Sequence, residues 1–261
     1  MEFETLTLKV QENVGTITFN RPEAANAINL RLAQELFAAV TQCEDDSVRA
    51  VVVTGSGPFF CAGGDVKEFA SHPEDTPRHI KELATWLHAA LSRLTRLPAP
   101  VIAAVNGTAA GAGFSLAIAC DLTLAAQSAR FVMAYTGIGL TPDGGSTYFL
   151  PRLVGPRRTL ELILTNRTLS AQEAEAWGLV SWVVADADLA TEAATLASRL
   201  AAGPTAAFAT SKRLLRLSAT ESLETQLENE TQAIAAAARS QDFGEGLSAF
   251  LAKRPPRFSG R

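Results

Sequence analysis

The chain has 261 residues, 47% of them hydrophobic and 19% charged, a balance that suits a globular fold with a packed core. A formal net charge of −4 argues against nucleic acid as its main partner, and no apolar run reaches the roughly 18–20 residues of a membrane span. Three widely spaced cysteines, Cys43, Cys61 and Cys120, suggest neither a disulfide framework nor a zinc cluster, and fit reduced thiols in a cytoplasmic setting.

The opening segment alternates Leu6, Leu8 and Val10 with polar residues, and Ile17 and Phe19 repeat the pattern after a short turn. This predicts a hairpin, not a signal peptide. From Asn29 the period lengthens, and Leu32, Leu36, Phe37 and Val40 make one helical stripe. Ala50–Val53, Val101–Val105 and Leu122–Ala125 are short continuous apolar runs, as expected of strands buried on both faces of a parallel sheet. A small-residue loop and an apolar helix from about Gly111 to Ala119 follow the second run. Alternation of this kind predicts an α/β core with right-handed crossovers.

Beyond about residue 185 the pattern is helical only. Ser170 with Glu173, Ser218 with Glu221, and Asp242 with Glu245 have the spacing of helix starts, and Pro204 fits a first helical turn. The division expected is a core over 1–202 and a C-terminal helical region over 203–261, with Lys253 to Phe258 as a helix stop.

The usual catalytic arrangements are missing from the sequence. His72, His79 and His88 share one helical stretch without a G-x-S-x-G elbow, so each reads as a surface or core side chain. There is no HExxH, CxxC or P-loop, and Gly111-Ala112-Gly113 lacks the last glycine of a dinucleotide motif because Leu116 stands there. Two glycine-rich strand-to-helix turns remain, Phe59 to Val66 and Asn106 to Gly113, with a glycine loop, Thr141 to Thr147, that carries an acid. Small residues let a ligand approach the backbone, and helix N-termini leave N–H groups unpaired. Two such turns at the ends of neighbouring strands could aim two donors at one oxygen; each donor of such an oxyanion hole is typically worth about 2.7–4 kcal/mol. The same glycines also serve tight turns and helix–sheet packing.

In this order the motifs resemble the enoyl-CoA hydratase/isomerase (crotonase) superfamily. The likeness runs through Asn20 to Ala27, Phe60 to Asp65, Asn106 to Asp121 and Glu245 to Arg254. It implies a ββα spiral core with a C-terminal helical trimerisation region, and a coenzyme A thioester as substrate with no further cofactor and no metal. It also implies that the N–H groups of Gly64 and Ala112 hold the thioester oxygen and that Ala62, Ala25 and Asp65 lie along coenzyme A. Phe250 and Lys253 would reach a neighbouring subunit's coenzyme A in a homotrimer or a hexamer built of two trimers. Asp65 is equally a natural helix N-cap.

The departures bear on the reaction. Matching without gaps puts Ser115 and Tyr135 where hydratases of this family carry two glutamates, and hydroxyls with ordinary pKa values of about 10 or more are poor general bases. One acid remains, Asp143, in a stretch (Arg130 to Gly145) that resembles the branch containing the ring-expanding isomerase of phenylacetyl-CoA catabolism. Pro142-Asp143-Gly144 is also a favoured turn. A single carboxylate favours isomerisation of an enoyl-CoA, with Asp143 as acid/base and Tyr135 beside the substrate. The rivals are an enoyl-CoA hydratase that draws on Glu68, Glu74 or Asp75, and a non-catalytic protein of this fold that binds coenzyme A or RNA. The densest basic cluster, Lys212, Arg213 and Arg216, would serve coenzyme A phosphates or face solvent. Phe69 to Leu97 would shape the acyl pocket, with Phe131, Met133, Tyr135 and Phe149 as further walls.

Overall fold

A computed structural model describes residues 3–261. The expected hairpin forms as β1 (Leu6–Gln11) and β2 (Val14–Phe19), antiparallel, with positive φ at Glu12 and Asn13 closing the turn. Asn29 caps α1 (Leu30–Gln42) by accepting from the Leu32 N–H, and the helix buries Leu32, Leu36 and Val40. The apolar runs become β3 (Ala50–Gly55), β5 (Val101–Val105) and β7 (Leu122–Ala126). With β10 (Trp182–Val184) they complete a six-stranded sheet ordered β1-β2-β3-β5-β7-β10, parallel from β2 onward.

After each of β3, β5 and β7 the chain adds a second, shorter strand to another sheet. These are β4 (Phe59–Cys61), β6 (Thr108–Ala110) and β8 (Arg130–Val132), and β9 (Leu169–Ser170) completes the order β4-β6-β8-β9. A helix follows each of these pairs: α2 (Val66–Ala70) and α3 (Thr76–Leu94) after β4, α4 (Ala112–Ala119) after β6, and α5 (Ser146–Thr165) after β8. The result is the ββα spiral. At every one of its eight positions α4 is buried, sitting in the middle of the core. The backbone of α5 breaks at Gly155 (φ 78°, ψ 163°), which divides it into two helical pieces.

The remaining helices are α6 (Ala171–Ala176), α7 (Leu189–Ala201), α8 (Thr205–Leu217), α9 (Leu223–Ala237) and α10 (Gln241–Leu251). Ser170 and Glu173 form the expected capping box of α6. The two downstream helix starts are displaced. Nothing in Leu214–Leu217 breaks a helix, so α8 runs up to Ser218, and Ser222 caps α9 by accepting from Thr225 N–H. Ser240 caps α10, and Pro204 precedes α8 instead of entering its first turn.

Asp242 and Glu245 do other work. The chain after α10 folds back along it: the Asp242 carboxylate accepts from the N–H groups of Ser259 (2.6 Å) and Gly260 (2.9 Å). Glu245 takes Arg254 in a two-pronged pair and the Arg257 N–H. Arg49, next to β3, donates to the carbonyls of Gly203 and Phe258, which ties this tail to the core. No helix among the described residues is long and apolar enough to cross a membrane.

Candidate active site

Parallel pairing of β4 with β6 brings the two glycine-rich turns side by side. A Cβ placed on Gly63 would stand 2.9 Å from the Ala110 carbonyl oxygen and 3.4 Å from the Ala112 nitrogen, so only glycine admits this approach. Gly113 serves the same contact from the helix side: a Cβ there would lie 2.2 Å from the Cys61 oxygen. Gly111 enters α4 at φ 51°, ψ −122°, a conformation that L side chains avoid.

The surrounding amides are spoken for. Ala62 N–H donates to Ala25, Ile28 N–H to Gly63, Asp65 N–H to Ile28, and Gly111 N–H to Val132. Among the described residues, the Gly64 and Ala112 N–H groups have no backbone acceptor. The second opens α4, where the positive end of the helix dipole adds to its pull on negative charge.

Gly64, Ala112 and Asp143 line one cavity of about 410 Å³, together with Ala62, Tyr135 and Phe69. Asp143 is the one carboxylate among its described lining residues. Its Oδ1 accepts from the Tyr135 hydroxyl at 2.6 Å, and the Tyr135 oxygen in turn accepts from Ser115 Oγ at 3.0 Å, the Gly111 carbonyl at 3.2 Å being the alternative acceptor for the Ser115 proton. Burial first, and then the Asp143 charge, raise the Tyr135 pKa, so the phenol keeps its proton and acts as a donor. The two hydroxyls standing at the expected glutamate positions thus belong to one chain of hydrogen bonds that ends on the single acid.

His88, read from the sequence as a bland helical residue, is part of this site. From α3 its Nε2 accepts the Gly144 N–H at 3.1 Å, which puts the ring proton of the neutral form on Nδ1. Asp143 Oδ2 is 3.7 Å away, an ion-pair distance too long for a hydrogen bond. The carboxylate raises the His88 pKa against the partial burial that lowers it. No spacing motif marks this histidine, because the contact spans 56 positions between a helix and a loop.

The other candidates are distributed as follows. Ala25, at φ 51°, reaches the site through its carbonyl, which holds the Ala62 amide. Asp65 caps α2 by accepting from the Lys67 and Glu68 N–H groups, and it pairs with Arg21 at 2.9 Å, so these partners take up its carboxylate. Phe69, Ile80, Leu83 and Ala84 supply the apolar wall from the Phe69–Leu97 segment. Phe131 and Met133 are core side chains, 1% and 0% exposed, and Phe149 lines a different cavity.

Glu68 accepts from Leu30 N–H, and neither it, Glu74 nor Asp75 lines the cavity. Phe250, 81% exposed on α10, and Lys253, just past its end, stand outside the cavity of their own chain. Lys212 is not free for a ligand: it pairs with Asp121 at 2.6 Å and donates to the carbonyls of Leu97 and Ala99. Arg216 donates to the Thr95 carbonyl.

Comparison with known proteins agrees with this architecture. Residues 9–261 match the family model described as enoyl-CoA hydratase/isomerase. The chain is 42% identical over 263 residues to the 1,2-epoxyphenylacetyl-CoA isomerase of Escherichia coli K12, with 100% of each chain covered. It is 41% identical to a "probable enoyl-CoA hydratase" of Rhodobacter capsulatus, again over 100% of both. A solved enoyl-CoA hydratase from Bacillus anthracis superposes with a TM-score of 0.93 at 36% identity, covering 99% of this chain and 100% of that one. The chain therefore belongs to the enoyl-CoA hydratase/isomerase (crotonase) family of acyl-CoA enzymes.

Proposed function

We propose that this enzyme moves a double bond, or rearranges a ring, within an enoyl-CoA thioester through an enolate, with Asp143 as the acid/base. The observation that carries this reading is the count of acids: one carboxylate lines the cavity, with hydroxyls at both positions where a water-adding mechanism would need carboxylates. Loss of a proton α to a thioester puts negative charge on the carbonyl oxygen. The Gly64 and Ala112 N–H groups receive that charge, and being fixed in place they need no reorganisation as it develops. Asp143 takes the proton from the α-carbon of a 3-enoyl ester and returns it to the γ-carbon, leaving the 2-enoyl ester. Nothing is added or lost, so one group suffices.

The test is Asp143→Asn with two assays, 3-enoyl-CoA isomerisation and 2-enoyl-CoA hydration. We expect isomerisation to fall by about 10²–10⁴-fold, the usual contribution of a general acid/base, and hydration by the native enzyme to be the slower of the two reactions. Isomerisation that survives the substitution would remove Asp143 from the mechanism.

Under the same reading the C-terminal region joins subunits into a trimer or a pair of trimers, and brings Phe250 and Lys253 to a neighbour's coenzyme A. Support comes from the apolar groove of about 640 Å³ between α8, α9 and α10, with Ile234 and Phe250 on its exposed rim. A mass in solution equal to one chain would refute it.

A further inference from the structure

The cavity that holds Gly64, Ala112 and Asp143 stops at a partition. Beyond loop 143–145 lies a second cavity of about 790 Å³, and no described residue lines both. Asp143 lines the first and its neighbour Gly144 the second, so the loop forms one side of the partition. The other side is α3, on which Leu83, Leu87 and Leu91 follow one another at helical spacing. Leu83 lines the first cavity and Leu91 the second, while Leu87, 0% exposed, lines neither and fills the step between them.

Gly144 closes the gap against both neighbouring helices. A Cβ built on it would stand 2.7 Å from Ser115 Cβ on α4 and 3.5 Å from Leu91 Cδ1 on α3. Its N–H donates to His88 Nε2 at 3.1 Å, the one hydrogen bond among the described residues that joins this loop to α3. Gly144 and Gly145 both have positive φ (61° and 76°), and glycines restrain their own backbone little, so this bond is what holds the loop against the helix. The space in front of the partition is small. About 410 Å³ has room for about 14 groups of water size, whereas a hexanoyl thioester brings eight heavy atoms and a tetradecanoyl thioester sixteen.

We propose that the His88–Gly144 hydrogen bond latches the back wall of the acyl pocket and so sets the longest acyl chain that the enzyme holds. His88 is then a positioning residue, which determines specificity through the Gly144 peptide without touching the substrate. Releasing the latch would join the two cavities, and the added methylenes would pack on Leu91, Phe149 and Leu217. This inference rests on the acyl-CoA site proposed above, but not on which reaction occurs there.

The test is calorimetry with unreactive saturated esters, from hexanoyl-CoA to tetradecanoyl-CoA, each kept below the concentration at which it forms micelles. With the native enzyme, affinity should rise about fourfold per added methylene, the usual gain on burying one. The rise should stop at about ten carbons, where the pocket is full. His88→Ala should carry the rise on, so that tetradecanoyl-CoA binds this variant about tenfold or more tighter than it binds the native enzyme. His88→Gln, whose side-chain carbonyl can accept the same N–H, should keep the native limit. Circular dichroism would verify that both variants are folded, and the native series is a test that needs neither. An unbroken rise in the native enzyme, or the same limit in His88→Ala, would overturn the proposal. So would a lost limit in His88→Gln, since the ring and not the bond would then be the wall. Failure of the native enzyme to bind even hexanoyl-CoA would refute the acyl-CoA site itself, and this inference with it.

Discussion

Gly113→Ala is a severe test of the idea that two backbone turns make one site. Gly113 lies in the first turn of α4, where its missing side chain lets the helix rest on the Cys61 peptide of β4. An added Cβ would stand 2.2 Å from the Cys61 oxygen and 2.9 Å from its carbonyl carbon, against ordinary contact from 3.4 Å. The strand and helix must therefore separate by 3.4 − 2.2 = 1.2 Å, and the obstacle is backbone, which cannot swing aside.

Overpacking of this kind costs about 1–3 kcal/mol of stability. The functional cost should be larger in proportion, because the contact that must open joins the end of β4, which leads into the Gly64 turn, to the first turn of α4, which carries Ala112. A misplacement of about 1 Å in a catalytic geometry can cost about a hundredfold. The assay is kcat/KM on an enoyl-CoA alongside urea denaturation. Gly244→Ala is the control, since a Cβ there meets nothing within 4 Å, and alanine in a helix should be neutral or stabilising by about 0.4–1 kcal/mol. A Gly113→Ala protein that is destabilised yet retains native kcat/KM would show that the spacing of the turns does not matter to catalysis, and the oxyanion argument would fail.

Two further predictions concern the supports of the site. His88 has a folded-state pKa raised by Asp143 above its ordinary 6.5, so its contribution to stability is fully present below about pH 6.5 and is lost as pH rises through the raised value. Denaturation of native enzyme and His88→Gln across pH 5–9 should show a difference that shrinks on the alkaline side; a constant difference would refute the pairing. Asp242, 5% exposed, is the acceptor for the returning tail. Asp242→Ala strands those donors at a cost of about 1–3 kcal/mol and should speed hydrogen exchange and proteolysis after Arg254. Unchanged exchange there would mean that Arg49 and Glu245 hold the tail alone.

The legible parts of the fold are those where one physical constraint repeats along the chain. β3, β5 and β7 are buried on both faces, so continuous apolar runs mark them, and α1 declares itself by a one-sided stripe. The strands of the smaller sheet, β4, β6, β8 and β9, have only two or three residues each, too few for any period to register. The glycine turns were readable because nothing but glycine permits such close backbone approach. His88 was not, since a histidine on a helix face becomes a site residue only when a distant loop is folded against it. Asp242 and Glu245 misled for a related reason: local spacing suits a cap, but a tail arriving 9 to 18 residues later takes both side chains, while Ser240 does the capping.

The same distinction between local and assembled information explains how a fold shared by enzymes of different names can host different reactions. The two turns proposed to hold the thioester oxygen are set by backbone packing among glycines and alanines, which leaves little room for variation: at Gly63, Gly111 and Gly113 either φ or a neighbouring peptide excludes a side chain. The groups clustered around the single acid are different, because Ser115, Tyr135 and His88 hang as side chains on α4, on the loop after β8 and on α3. In this chain the side chains bonded to the acid's neighbourhood are hydroxyls, Ser115 and Tyr135, and Tyr135 donates to Asp143. A protonated phenol 2.6 Å from Asp143 steadies the carboxylate toward the cavity but can take no proton from water itself. On the mechanism proposed above, enolate stabilisation would belong to the scaffold and the number of carboxylates would decide what the enolate becomes; with one, the proton that leaves is the proton available to return.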